Sequence, residues 1–179
     1  MHTLVLISHP NLDRSKAHSR LLEAIRGLPH VEVRHLESRY PDGHVDVAAE
    51  QASALRADRI VFQFPFYWYS TPPMLKQWQD EVLEFGWAYG PGTRLQGKTL
   101  QLVLSTGGPP ASYQADGYNR YTVPELLRPL EVTAGLVRMN FAPPMILWGV
   151  PNIPGLDVPG DRSAAIAEFA AGYRALLAG

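Results

Sequence analysis

Three short stretches hold the residues that could do chemistry in this chain of 179 residues. The first, SHPNLDRSKAHSR at 8–20, sets two imidazoles (His9 and His18), a hydroxyl (Ser15) and a cation (Lys16) around Ala17 at a helix start. Amides in the first turn of a helix lack partners and the dipole there favours negative charge, by about 0.3–1 kcal/mol at exposed sites. Ser15 and His9 could each donate to an oxygen of a phosphate. The same residues also suit a plainer reading, with Ser15 a helix cap and His9 a loop residue. The stretch has neither a P-loop lysine pattern nor the glycine fingerprint of a dinucleotide site, so it fits a single phosphate better than a pyrophosphate.

The second stretch, FPFYWYSTPP at 64–73, places five aromatics in six positions and closes on two hydroxyls and two prolines. Pro65, Phe66, Tyr67 and Trp68 would make a ledge for a planar ring, with backbone groups at its edge. Alternatively, Phe62, Phe64 and Phe66 are buried strand residues and the tyrosines cover a neighbouring helix. The third, STGGPP at 105–110, puts Gly107 and Gly108 after Ser105 and Thr106. Adjacent glycines let backbone amides approach a ligand closely and allow positive φ. An ordinary tight turn explains the same letters.

The surrounding elements decide whether these stretches meet. Apolar runs at 3–8, 31–36, 59–64, 98–105 and 141–149 read as five strands. Helical spacing covers 15–26, 47–56, 125–137 despite Pro129, and 161–177, where Asp161 is the expected cap; a further helix starts at Pro72–Pro73 and runs to about Phe85. Residues 40–44, 86–97, 111–122 and 151–160 read as loops. Strands alternating with helices imply a parallel sheet with helices on both faces. With right-handed crossovers, five strands fit the flavodoxin-like order 2-1-3-4-5, a three-layer α/β sandwich in one domain over 1–179. Ligands in such sheets sit beyond the carboxyl ends of the strands, where the strand order reverses. The loops after strands one, three and four are the three stretches above.

Composition narrows the function classes. A formal net charge of −1 gives no basic footprint for nucleic acid. The absence of cysteine excludes disulfides, thiolate metal sites and cysteine redox chemistry, so redox work requires a cofactor. The six histidines show no metal-ligand spacing. The amino-terminal apolar run reads as a strand and not a signal peptide, and no run approaches the ~18 residues of a membrane span, so a cytoplasmic protein is expected. A phosphate at the first loop, an aromatic floor at the second and a polar edge at the third together describe FMN.

The segments HPNLDRSKAHSR, FPFYWYSTPPMLKQWQDEVLEFGWAYG, STGG and GYNRYTVPELLRPLEVT resemble the flavodoxin-like NAD(P)H:quinone oxidoreductase family. The resemblance is closest to the bacterial group that includes the glutathione-regulated potassium-efflux ancillary flavoproteins, and it spans about residues 3–149. It implies a homodimer with FMN (FAD in longer members) that takes a hydride from NAD(P)H and passes it to a quinone in a ping-pong cycle. Carried over by position, it places His9, Ser15, Lys16, Ala17 and His18 on the phosphate and ribityl tail and Pro65, Phe66, Tyr67 and Trp68 along the isoalloxazine. Ser105, Thr106, Gly107 and Gly108 fall on the pyrimidine edge, and Tyr113 is the candidate catalytic residue that orients the reacting groups. Two departures stand out: His18 occupies the place of the family's usual asparagine, and Asn119 that of a histidine in the larger quinone reductases. The same kinship carries an alternative function, a regulatory subunit of a potassium-efflux transporter held at the inner face of the membrane through that partner. An electron carrier of flavodoxin type would share the fold, but the near-neutral charge lacks the acidic docking surface such carriers use.

Overall fold

The structure, a computed structural model, describes residues 1–150 and 162–179. Strands β1 (Thr3–Ile7), β2 (Val31–His35), β3 (Arg59–Pro65) and β4 (Thr99–Ser105) form a parallel sheet in the order β2-β1-β3-β4, with the fifth position beside β4. The expected flavodoxin-like order is what forms.

The period-2 alternation of the central strands sorts side chains onto two faces. Leu4 and Leu6, then Ile60, Phe62 and Phe64, then Leu100, Leu102 and Leu104 point to one core. That core is closed by α3 (Val47–Arg56), α4 (Pro73–Val82), α5 (Val123–Leu126) and α6 (Arg128–Leu136). Val5, Ile7, Val61 and Val103 point the other way, onto α1 (His18–Ile25) and α7 (Ser163–Ala178). Each such aliphatic burial contributes about 1.5–3 kcal/mol.

A polar knot fastens the first of these layers. Glu50 on α3 is 0% exposed and accepts from Arg34 Nε at 2.9 Å, Arg34 Nη2 at 2.7 Å and Trp78 Nε1 at 2.9 Å, and from the Tyr40 hydroxyl. The charge is fully paired, which is the condition under which a buried carboxylate is tolerated.

Several boundaries differ from the sequence reading, each for a local reason. The helix expected from residue 15 begins at His18, because residues Leu12–Arg14 take a 3-10 turn first, which Ser15 closes while its hydroxyl accepts from His18 N. Strand two ends at His35, and Leu36 starts a one-turn helix, α2 (Leu36–Arg39), that buries its own side chain. Helix α4 stops at Val82; Phe85 beyond it is 71% exposed and so supplies no apolar reason to continue. The helix expected over 125–137 is two helices, with Pro129 in the first turn of the second, where its missing N–H costs nothing. Thr122 and Glu125 form a reciprocal capping box that sets the start of α5.

The expected fifth strand at 141–149 is replaced by two short strands, β5 (Asn140–Phe141) and β6 (Met145–Leu147), both parallel to β4. Between them Pro143 and Pro144 have no N–H for the ladder. Ala142 N still donates to Leu100 O at 2.9 Å, and the Gln101 side chain reaches across to Pro143 O at 2.8 Å. The expected Asp161 cap and the loop at 151–160 lie outside the described residues, while α7 itself occupies the place expected for the closing helix.

Candidate active site

The carboxyl ends of β1, β3 and β4 bring the three stretches together. Ladder bonding carries past the strand ends: Ser8 N donates to Gln63 O at 3.0 Å and Phe66 N to Ser105 O at 2.8 Å. The loops therefore leave the sheet in register and not as independent excursions.

In the first loop, Ser15 Oγ accepts from His18 N at 3.1 Å. Ser15 thus satisfies the first amide of α1 from three residues upstream, and its hydroxyl hydrogen stays available for another acceptor. Lys16 is exposed and Ala17 buried. His9 and His18, which the resemblance places on the phosphate and ribityl tail, are each only 1% exposed. Their rings lie 5.3 Å apart between centroids, and Tyr67 of the second loop lies 6.3 Å from His9. His18 Nε2 is 2.9 Å from Ser105 Oγ, so one imidazole joins the first loop to the third.

Burial, followed by the neighbouring His9, lowers the pKa of His18 to about 3; burial likewise lowers that of His9. Both rings are neutral at physiological pH, and the charge at the helix start comes from exposed Lys16 and the backbone dipole.

Behind this loop stands support that the sequence reading missed. Glu37 Oε1 accepts from Ser8 Oγ at 2.6 Å, and its other oxygen lies 3.2 Å from His35 Nε2. The same His35 nitrogen is 3.0 Å from the His9 carbonyl. Burial raises the Glu37 carboxyl, but hydrogen bonds from His35 and Ser8 outweigh it and leave the pKa lowered. Burial lowers His35, and Glu37 outweighs that in turn, leaving its pKa raised. The alternating letters of VEVRHL signalled a strand and gave no sign that its end would brace a neighbouring loop.

The second loop is a strained turn. Tyr67 and Ser70 form a bridge, with Ser70 N donating to Tyr67 O at 2.9 Å. The two residues between them, Trp68 at φ 49° and Tyr69 at φ 62°, are both left-handed. That is the type I′ arrangement normally filled by Asn and Gly, and each aromatic there costs about 1–2 kcal/mol. The conformation throws the Trp68 indole outward, 92% exposed. Pro65 is buried, and the Phe66 side chain belongs to the core with Phe62 and Phe64, so Phe66 faces the rim through its backbone only. The phenylalanines pack inward, while half-buried Tyr67 and exposed Trp68 form the outer rim of the turn. Tyr69 donates from its hydroxyl to Asn119 Oδ1 at 3.0 Å, which ties the second loop to the excursion after the third.

In the third loop, Thr106 Oγ1 donates to Gly108 O at 2.9 Å, and Gly149 N donates to the same carbonyl at 3.0 Å. Gly108 does not use positive φ; a Cβ there would sit 3.3 Å from Ser112 Oγ and 3.4 Å from Tyr113 Cε2. A side chain here would press on Ser112 without a change of backbone dihedral, and Gly107 beside it is exposed. Tyr113 is buried, with its ring centroid 5.6 Å from that of Trp148, just past β6, and tilted to it at 56°. Burial, then Tyr69, raises the Tyr113 pKa, so its phenol is a neutral hydrogen-bond donor. A groove of about 270 Å³ along α5 and α6 lies elsewhere, and its lining charges, Arg128 and Glu131, pair with each other at 2.6 Å.

What these loops make is a neutral, buried imidazole pair at a helix start, an outward aromatic rim and a glycine turn backed by a phenol, all at one sheet edge. Comparison with known proteins places the chain. Residues 1–177 match Flavodoxin_2, the family of flavodoxin-like fold, and the chain belongs to it. It is 49% identical to the uncharacterized NAD(P)H oxidoreductase YdeQ of Bacillus subtilis (strain 168), over 80% of this chain and 73% of that protein. It is 44% identical to the glutathione-regulated potassium-efflux system ancillary protein KefG of Cronobacter sakazakii, over 81% of this chain and 79% of that protein. Among solved structures, general stress protein 14 of Treponema denticola in complex with FMN superposes with a TM-score of 0.90 at 38% identity, covering 99% of this chain and 98% of that one.

Proposed function

We propose that the three loops bind FMN and that the protein is a cytoplasmic, homodimeric FMN-dependent NAD(P)H:quinone oxidoreductase. The observation that carries this reading is the His18–Ser105 hydrogen bond, which fuses the anion-suited helix start to the glycine turn beside the aromatic rim. The buried and unpartnered His18 Nδ1 fits a ligand with hydrogen-bond acceptors at that helix start. The name of the Bacillus relative and the FMN complex of the Treponema protein point the same way.

In this reading Ser15, Lys16, Ala17 and the two histidines hold the phosphate and ribityl tail. Pro65, the Phe66 backbone, Tyr67 and Trp68 flank the ring system, and Ser105 to Gly108 meet its polar edge. Bound FMN supplies the redox chemistry, accepting two electrons from NAD(P)H and yielding them to a quinone. Tyr113 offers a neutral O–H to orient the acceptor, since Asn119 is committed to Tyr69 and carries no titratable proton. Nicotinamide and quinone are both flat, so one aromatic rim can serve each in turn. Purified protein should carry, or take up, one FMN per chain and show a blue-region absorbance band that NADPH or NADH bleaches and a quinone restores. Protein that stays colourless after incubation with FMN refutes the assignment.

The kinship with KefG favours a second role, as the ancillary subunit of a potassium-efflux transporter. Stable co-purification with such a transporter supports it; a transporter whose flux is indifferent to the protein excludes it.

A further inference from the structure

His18 is a buried ring with half of its hydrogen-bonding capacity unused. Its Nε2 faces Ser105 Oγ at 2.9 Å, and its Nδ1 is buried without a partner. A neutral imidazole has one N–H and one lone pair, so in either tautomer something at Nδ1 goes unsatisfied. Buried nitrogens rarely remain so.

The groups around the ring explain why it stays neutral in the protein alone. From β3, the Gln63 amide donates to the His18 carbonyl at 3.3 Å and leaves its own Oε1 unpartnered. The end of β4 contributes the Ser105 hydroxyl, and the first loop contributes Ser15 and the His9 ring, backed by Tyr67. Glu37 lies beyond His9, engaged by Ser8 and His35. Among the described residues no carboxylate hydrogen-bonds His18, and the nearby cation Lys16 is exposed. Burial and His9 together hold the ring unprotonated.

We propose that binding of FMN protonates His18. The cofactor's phosphate brings negative charge to the start of α1, the buried imidazole takes up a proton, and FMN is held as an ion pair whose strength follows pH. The inference rests on the FMN reading above. An asparagine at this position would offer an N–H without titrating; histidine adds a charge that appears only with the ligand. A phosphate dianion only accepts hydrogen bonds, so Nδ1 must present a hydrogen to it. The rival arrangement is a neutral ring with hydrogen on Nδ1 and Ser105 donating to Nε2. It differs by one proton, which makes the two separable.

The test is calorimetric titration of FMN into the full-length, flavin-free protein at pH 7.5, in two buffers of different ionisation enthalpy. At that pH the phosphate of FMN is already a dianion, since its second pKa is about 6, so proton uptake reports the protein. The expected result is uptake of about 0.5–1 proton per FMN, with Kd rising roughly three- to tenfold per pH unit between pH 7 and 8.5. Riboflavin, lacking the phosphate, should bind with no uptake, and His18→Asn should bind FMN with none. Wild-type binding of FMN with no net proton uptake overturns this inference alone. Equal uptake with riboflavin, or uptake that persists in His18→Asn, overturns it also. Absence of FMN binding at every pH overturns the inference and the proposed function together. Should His18→Asn not fold, the buffer comparison on wild type still decides, supported by nitrogen-15 shifts of the labelled His18 ring, which must move to the imidazolium position on adding FMN.

Discussion

Ser15 serves two ends with one hydroxyl, since its oxygen caps α1 by accepting from His18 N and its hydrogen remains to be donated. Ser15→Ala is expected to lose about 0.5–2 kcal/mol of stability from the missing cap. It should also weaken FMN binding by about ten- to a hundredfold from a lost charge-assisted bond. Urea unfolding of the flavin-free protein reads the first effect and calorimetry the second; a variant that loses stability and keeps full FMN affinity would leave Ser15 a cap only. Tyr113 makes the opposite split. Tyr113→Phe keeps the packing on Trp148 and removes only the donor, so FMN content should stay normal while kcat falls by at least about tenfold. Unchanged steady-state turnover removes the phenol from the mechanism.

Among the elements, the Tyr67–Ser70 turn is the one whose conformation its sequence opposes. Nothing in the letters YWYS announces two successive left-handed residues, because aromatic side chains normally avoid that region and Asn-Gly normally marks it. Trp68→Gly removes an indole that buries almost nothing and relieves the backbone. Stability is therefore expected to rise by about 0.5–1 kcal/mol, less than the strain relieved because glycine loosens the unfolded chain. Affinity for flat acceptors should fall in the same variant, read as a raised KM for quinone. A destabilised Trp68→Gly would mean that the turn is not strained. This contrast shows what was legible. Strands such as RIVFQF and helices such as the Pro72–Pro73 start followed from periodicity and capping. The turn, the brace of His35 and Glu37 behind the first loop, and the burial of both histidines depend on partners distant in sequence. The three stretches could be seen to converge because the sheet rule fixes where strands end, whereas the depth of the two imidazoles could not, because burial is a tertiary property.

At the scale of the whole molecule, titration of these buried groups should shape stability against pH. An unfolded histidine titrates near 6.5, whereas His18 in the folded chain is held neutral to about 3 by burial and then by His9. From pH ~6.5 down to about 3 the unfolded chain binds a proton that the folded chain refuses, so stability falls as pH falls through that window. His9, lowered by burial, acts in the same sense. His35 acts in reverse: its pKa is raised by Glu37 against burial, so its contribution is complete below pH ~6.5 and is lost as pH rises through its folded value. Glu37, lowered by His35 and Ser8 against burial, contributes above the ordinary carboxylate range and loses that contribution on acidification. The urea midpoint of the flavin-free protein should therefore decline below pH ~6.5, and His18→Asn should decline less steeply between pH ~6.5 and ~4. Parallel curves for the two proteins would contradict the buried neutral state.

The division of the fifth strand has a further consequence. A parallel sheet of this kind ends in an open flank that another polypeptide could extend by strand addition, and such flanks seed fibres. Here that flank is cut to two and three residues with Pro143 and Pro144 between them, so no incoming strand finds an unbroken row of amides to pair with. The interruption that spoils the regularity of the sheet also keeps crowded copies of the protein from zipping together along that side, leaving β2 as its one regular edge.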